Sequence, residues 1–314
     1  MLYGFGLPVR GELANFEGID AMLRTGEALG FCSATIADHV VFPTAVESQY
    51  PYDSSGIHPS TGDAIEALSL MAFAAGATRT LRFITSVLIL PHRNPVLTAK
   101  MIATIDVLSR GRVTLGVGVG WMREEFEALD AADFDRRGAV SDEYLRIFKK
   151  LWSPGPVEHQ GEHYSFAPLR CEPLPVQRPH PPIWVGGHSI PALRRTAKYA
   201  DGWHPLGTVD TAPLRPAEFR GLLDRLKRMT DAEGRDFNDI TIAYAARLRE
   251  TARPIDSNDR MPFSGSAEQI VEDVETYRAL GVSHLSFDFR KPSLAETTDR
   301  MAWFAATILE PTVG

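Results

Sequence analysis

The sequence is poor in cysteine, in uncompensated positive charge and in long apolar runs, and each shortage excludes something. Its two cysteines, Cys32 and Cys171, lie far apart and lack the paired spacing of a metal site. That argues against a disulfide-stapled scaffold and for reduced thiols in a cytoplasmic protein. No block of Lys and Arg offsets the net charge of −7, so nucleic acid is not expected as a partner. No run approaches ~18 apolar residues, and the start, MLYGFGLPVRGE, lacks a charged segment followed by a long apolar one. Neither a membrane span nor a signal peptide is expected. His159 and His163 have i, i+4 spacing, but Gly161 between them and the proline-rich flanks oppose a helix, and no metal site is expected.

A hydrophobic content of 44% and a charged content of 23% over 314 residues suit a large soluble α/β protein. The chain alternates between short apolar runs and helical periodicity. LYGFGLP, CSATIAD, LRFITSVLIL, RVTLGVGVG, IWVGG, DGWHPLG, DITIAYAARL and SHLSFDF read as eight strands. Helices are expected over 16–29, 64–77, the segment NPVLTAKMIATIDVLSRG, 139–152, 190–200, 216–233, 266–281 and 294–309. Two long inserts interrupt the rhythm, Val40–Gly62 and Ser153–Pro182, the latter with a small hairpin around GEHYSF. Eight right-handed strand–helix units without a linker close into a (β/α)8 TIM barrel with inserted loops, one domain spanning 1–314. A doubly wound sheet fits less well, because the glycine-rich segment fails the G-x-G-x-x-G fingerprint: the third glycine would fall on Trp121 or Arg123.

Chemistry in such a barrel sits at the C-terminal ends of the strands. Strand two ends in Asp38 and His39, and strand three carries Thr85, Ser86 and Val87. Strand four has glycine at 116, 118 and 120, and strand five runs through Gly186, Gly187, His188 and Ser189 into a helix. The last feature offers backbone N–H donors to an anion, and Ser189 also suits an N-cap. The alternating glycines read as clearance for a flat ligand beside the strand. Glu124 and Glu125 open a helix, where acids favour the dipole, and Glu125 reads as a solvated residue. Arg123 either meets a phosphate or caps a charged surface. Trp203 reads as core packing, and Val40–Gly62, with Tyr50 and Tyr52, is long enough to be a substrate lid.

The segments ADHV, TSVLILPHRNPVLTAK, RVTLGVGVGWMREEFEALD, PPIWVGGHSIPALRRTAKYADGW and MPFSGSAEQIVEDVETYRALGVSHLSFDF together resemble the bacterial luciferase-like flavin monooxygenases. They are most similar to the branch that uses the deazaflavin coenzyme F420. The resemblance covers Leu2 to about Phe289. It implies a barrel with inserted loops and a non-prolyl cis peptide at Ser86–Val87 behind the cofactor ring. It also implies cofactor contacts from Asp38, Thr85, Ser86, Val87, Gly118, Val119, Gly120 and Glu124, and a phosphate turn at Gly186, Gly187, His188 and Ser189. His39 matches an acid/base histidine of the family's sugar-phosphate dehydrogenase, and imidazole titrates in the right range. That enzyme's second catalytic carboxylate falls on Trp121, so glucose-6-phosphate is not the expected substrate. The implied activity is hydride transfer between F420 and a small organic molecule, in a homodimer. The alternative is an FMN-dependent monooxygenase that uses oxygen and a separate reductase.

Overall fold

The computed structural model describes residues 1–58, 62–209, 211, 213–257 and 259–312. Its central element is a closed cylinder of eight parallel strands: β1 (Leu2–Gly6), β2 (Ser33–Ile36), β3 (Arg82–Thr85, resuming at Leu88–Ile89), β4 (Val113–Gly118), β5 (Ile183–Gly186), β6 (Gly202–His204), β7 (Thr241–Arg247) and β8 (His284–Asp288). β1 pairs with both β2 and β8, aligning Gly4 with Ser33 and with Ser286. β3 pairs with β2 and β4, so no strand edge is left open.

Each strand is followed by a helix that covers it: α1 (Phe16–Ala28), α2 (Ala67–Ala77), α3 (Pro95–Ser109), the short α4 (Arg123–Ala128) with α5 (Arg137–Leu151), α6 (Ile190–Tyr199), α7 (Pro216–Ala232), α8 (Ala267–Ala279) and α9 (Leu294–Phe304). The starts are chemically specified. Asn15 caps α1 by accepting from the Gly18 N–H, and Asn94 caps α3 ahead of Pro95. Ser266 and Ser293 each form a capping box, with Gln269 and Glu296. The expected helix 64–77 starts at Ala67 instead, where Glu66 accepts from the Ser69 N–H. The last helix gives way to a π-helical turn at Ala305–Leu309. The hairpin forms from Val157–Gln160 and Ser165–Leu169, and there His159 Nε2 meets Glu143 Oε1 at 3.1 Å.

Most of the apolar core lies between the cylinder and its helices. Phe31, for example, meets Phe5, Phe289 and Phe304 ring to ring. A smaller cluster of Ile84, Trp184 and Ala243 packs separately. Trp184 contacts the rings of His204 and His284, and a Cβ on Gly202 would lie 2.4 Å from its indole. Cys32 and Cys171 are both free thiols.

The third strand departs from the single run expected from LRFITSVLIL. It is broken at Ser86–Val87, whose peptide bond is cis, as the family resemblance implied. The neighbouring glycines are shaped to this break. A Cβ on Gly116 would sit 1.9 Å from the Thr85 carbonyl oxygen. Gly221, on α7, has nothing within 4 Å of the same position. Gly116→Ala is therefore expected to cost about 3 kcal/mol through forced backbone movement. Gly221→Ala should gain roughly 0.5–1 kcal/mol from helix propensity. Urea unfolding of the two variants beside the parent checks both signs.

Candidate functional site

The C-terminal mouth of the cylinder holds a cavity of about 290 Å³, near the lower bound of roughly 300–1,000 Å³ for small-molecule sites. Its wall takes Gly6 from β1, Thr35 from β2, Ser86 and Val87 from the break in β3, Gly186 at the end of β5 and Gly187 after it, His204 from β6, Ala245 and Arg247 from β7, and Ser286 and Asp288 from β8. Tyr50 and Tyr52, from the insert after β2, complete it together with Arg10 and Arg290. Part of that insert, residues 59–61, lies outside the described residues.

One side is built on the broken strand. The Val87 side chain fills space that two glycines leave: a Cβ on Gly118 would lie 2.4 Å from Val87 Cγ2, and one on Gly186 2.6 Å from Val87 Cγ1. This corrects the reading of β4. Gly118 gives clearance to Val87, not to a ligand. A Cβ on Gly120 would meet Phe126 and Ile89, and neither Gly120 nor Val119 belongs to the cavity wall. Ser86 Oγ lies 3.1 Å from His204 Nε2, tying the break to β6.

The turn after β5 supplies a different chemistry. Gly187 has φ +80, a left-handed conformation suited to glycine. Its carbonyl accepts from Trp203 Nε1 at 2.8 Å, while Trp203 is fully buried and stacked on Phe219. Ser189 caps α6 through the Ala192 N–H, as its sequence position allows. α6 therefore starts at the cavity's edge, where helical N–H groups have no intrahelical partners. Gly186 and Gly187 line the cavity; His188 and Ser189 do not. His188 Nδ1 is buried without a partner among the described residues, and burial holds that ring below the usual histidine range.

Two residues expected at the ligand are committed elsewhere. Asp38 is buried, forms a two-pronged ion pair with Arg93 at 2.7 and 2.8 Å, and accepts from the Ile89 N–H at 2.9 Å. It fixes the chain beyond the break in β3. Thr85 is fully buried and donates to the Gly116 carbonyl at 2.7 Å.

His39 lies beside the cavity, one ring away from its wall. Its Nδ1 is 2.8 Å from Glu125 Oε2. Its ring packs on Phe42 and His58, with centroids 4.5 and 5.2 Å away. His58 in turn meets the Tyr50 ring, and its Nε2 accepts from Arg10 at 2.9 Å. Glu125 is the clearest correction: it is 0% exposed, where a solvated face was expected. Its carboxylate also accepts from the N–H groups of Val40 and Val41. Burial works to raise its pKa, but the bond and charge of His39, the charge of His92 and the Val40 N–H together hold it below the ordinary range. Glu124 accepts from the N–H groups of Glu47 and Ser48 rather than facing a cofactor. Adjacent glutamates of α4 thus clamp residues 40–48 over the barrel end. Arg123 pairs with Asp135 and lies over Phe134, which is the surface role of its two alternatives.

Arg10, Arg247, Asp288 and Arg290 were not singled out from the sequence. They close the cavity on the side of β1, β7 and β8. Each stands at or just past a strand's C-terminal end, so the positional rule used for strands two to five would have found them had it been applied to all eight.

The chain belongs to the luciferase-like monooxygenase family, whose model matches residues 4–253. Rv0940c of Mycobacterium tuberculosis is 36% identical to it over 226 residues, 71% of this chain and 75% of that protein. The structure of monooxygenase RslO1 from Streptomyces bottropensis superposes with a TM-score of 0.79 at 19% identity, covering 99% of both chains. An F420-dependent secondary alcohol dehydrogenase in complex with an F420-acetone adduct gives 0.77 at 16% identity, covering 98% of both. These likenesses establish the (β/α)8 luciferase-like barrel. Among the described residues, no helix is long and apolar enough to cross a membrane, and no cluster of His, Cys, Asp or Glu could hold a metal ion.

The buried histidines make stability depend on pH. Burial lowers His92 and His204 to about 4 and His284 to about 3. All three are neutral in the folded and unfolded chain above ~6.5, the ordinary value. Below it the unfolded chain takes up protons first, so stability falls as pH drops from about 6.5 toward the folded values, by up to about 1.4 kcal/mol per unit for each histidine. Urea midpoints measured at pH 8, 7, 6 and 5 should be level between the first two and fall steeply afterwards.

Proposed function

We propose that this chain is an oxidoreductase that binds coenzyme F420 in the barrel mouth and exchanges hydride between it and a small organic substrate. The observation that carries the reading is one continuous cavity. It runs from the backbone break at Ser86–Val87 to the side-chain-free turn Gly186–Gly187 at the start of α6.

The residues present fit such a group. Ser86 and Val87 offer backbone and a small apolar face against a planar ring. Gly187 and the first N–H groups of α6 suit a phosphate, and Trp203 holds that turn from behind. When bound, the deazaflavin supplies the hydride chemistry itself. The chain's part is to bind, orient and move a proton. The bond from His39 Nδ1 to Glu125 leaves Nε2 as the nitrogen that exchanges it. His58 and Tyr50 connect this pair to the wall by ring contacts.

The luciferase-like monooxygenase description of the family supports a second reading, FMN with molecular oxygen and a separate reductase. Titration of the purified protein with F420 and with FMN separates the two. The first reading expects at least tenfold tighter binding of F420; tighter FMN, or binding of neither, rejects it. Gly187→Val should weaken cofactor binding tenfold or more, because a β-branched residue resists positive φ and projects where the backbone meets the phosphate. His39→Gln should leave cofactor affinity unchanged and lower turnover by about 10²–10⁴. Unchanged turnover in that variant would move the proton role to the cavity's own groups, Tyr50 first.

A further inference from the structure

Around the mouth, charge is distributed unevenly. Three guanidinium groups, Arg10, Arg247 and Arg290, line the cavity with one carboxylate, Asp288. Asp288 is taken: Arg290 Nε donates to it at 2.8 Å, and the Arg290 N–H bonds to its Oδ1 at 3.0 Å. Burial works to raise the Asp288 pKa, but the hydrogen bond and charge of Arg290 hold it below the ordinary carboxylate range. It therefore stays ionised and neutralises Arg290. Arg10 donates to the neutral acceptor His58 Nε2. No carboxylate among the described residues pairs with Arg10 or Arg247. Asp288 and Asp63 act on Arg10, and Asp53 on Arg247, through longer-range charge. The Tyr50 ring stands on the same wall, its hydroxyl under the influence of both arginines.

Position separates this wall from the phosphate turn. Arg10 follows β1, Arg247 ends β7 and Arg290 follows β8. β8 pairs with both β1 and β7, so the three ends are contiguous on the cylinder. The glycine turn follows β5, across the mouth. A cofactor anchored at Gly187 with its ring against Val87 leaves the arginine wall facing whatever shares the cavity with it. Two half-buried guanidinium groups in a concave wall, with no ion-pair partner among the described residues, suit a counter-charge, and their planar forks match the oxygens of a carboxylate or phosphate.

We propose that Arg10 and Arg247 form a substrate subsite for an oxyanion, so that the small organic substrate carries a carboxylate or phosphate group. The inference rests on the functional reading above for calling the bound molecule a substrate. The subsite itself is measured without turnover. Binding is followed by calorimetry with four probes of similar shape: benzoate, phenyl phosphate, benzyl alcohol and benzylamine.

Benzoate or phenyl phosphate should bind at least tenfold more tightly than the neutral and cationic probes, with an affinity that falls as salt is raised. Whichever of the two anions binds tighter names the group. Arg247→Gln should weaken the anions tenfold or more, and Arg247→Lys should restore part of the loss. Arg10→Gln provides a second, independent variant, and circular dichroism confirms that each is folded. The affinity of F420 and of FMN should be unchanged in all three variants. Equal affinity for benzoate and benzyl alcohol would overturn the proposal, as would glutamine variants that bind anions like the parent. A matching loss of cofactor affinity would also overturn it, by assigning the arginines to the cofactor's phosphate. If neither cofactor binds the parent protein, the functional reading fails while the anion comparison still decides the subsite.

Discussion

The space around Val87 is the constraint on which the rest of the site depends. A parallel cylinder of eight strands would normally fill its mouth with side chains from every strand in turn. Here β3 stops at Thr85 and resumes at Leu88, and the intervening residues stand in the mouth. That arrangement exists only because Gly116, Gly118 and Gly186 withdraw their own side chains from the same volume. Asp38 completes it by holding the Ile89 N–H and Arg93. Inside the cylinder Trp184 packs with Ile84 and Ala243 and meets the ring of His204, which lines the cavity.

Much of this was legible in the sequence. The eight units could be counted because apolar runs and helical periodicity alternate with glycine and proline punctuation, and these signals are local. The Gly186–Gly187 turn was legible as a short contiguous motif, whereas the Ser86–Val87 break was implied only by the family resemblance, the local pattern reading as one strand. The misread residues fail for a different reason. Glu125 opens a six-residue helix, where a carboxylate ordinarily faces water. Its burial follows from His39, Val40 and Val41, more than eighty positions earlier, closing over it. Gly118 looked like ligand clearance because nothing in the sequence says that Val87 leans across from β3. Arg10, Arg247 and Arg290 are lone charges in three distant segments, and closure of the barrel through β8 is what makes them neighbours.

Two kinds of polar group serve the mouth, and the difference is instructive. Asp38, Thr85 and Glu125 are buried and saturated with partners, so they hold geometry. Arg10 and Arg247 are half-buried and have no ion-pair partner among the described residues, while Gly186 and Gly187 present backbone alone. Groups of the second kind are the ones with something left to offer a ligand.

The clamp at the start of α4 has a consequence for how this barrel can be altered. Glu125 and Glu124 grip the chain from Val40 through Ser48, and the grip includes the partner of His39. The part of the insert that lines the cavity, with Tyr50 and Tyr52, comes after the last gripped residue. Roof and clamped segment are thus separate pieces of one loop. Grafting a roof of different length or composition beyond Ser48 would reshape what fits beneath it while the Glu125 bond still holds the histidine, provided an aromatic ring is kept in the place of His58.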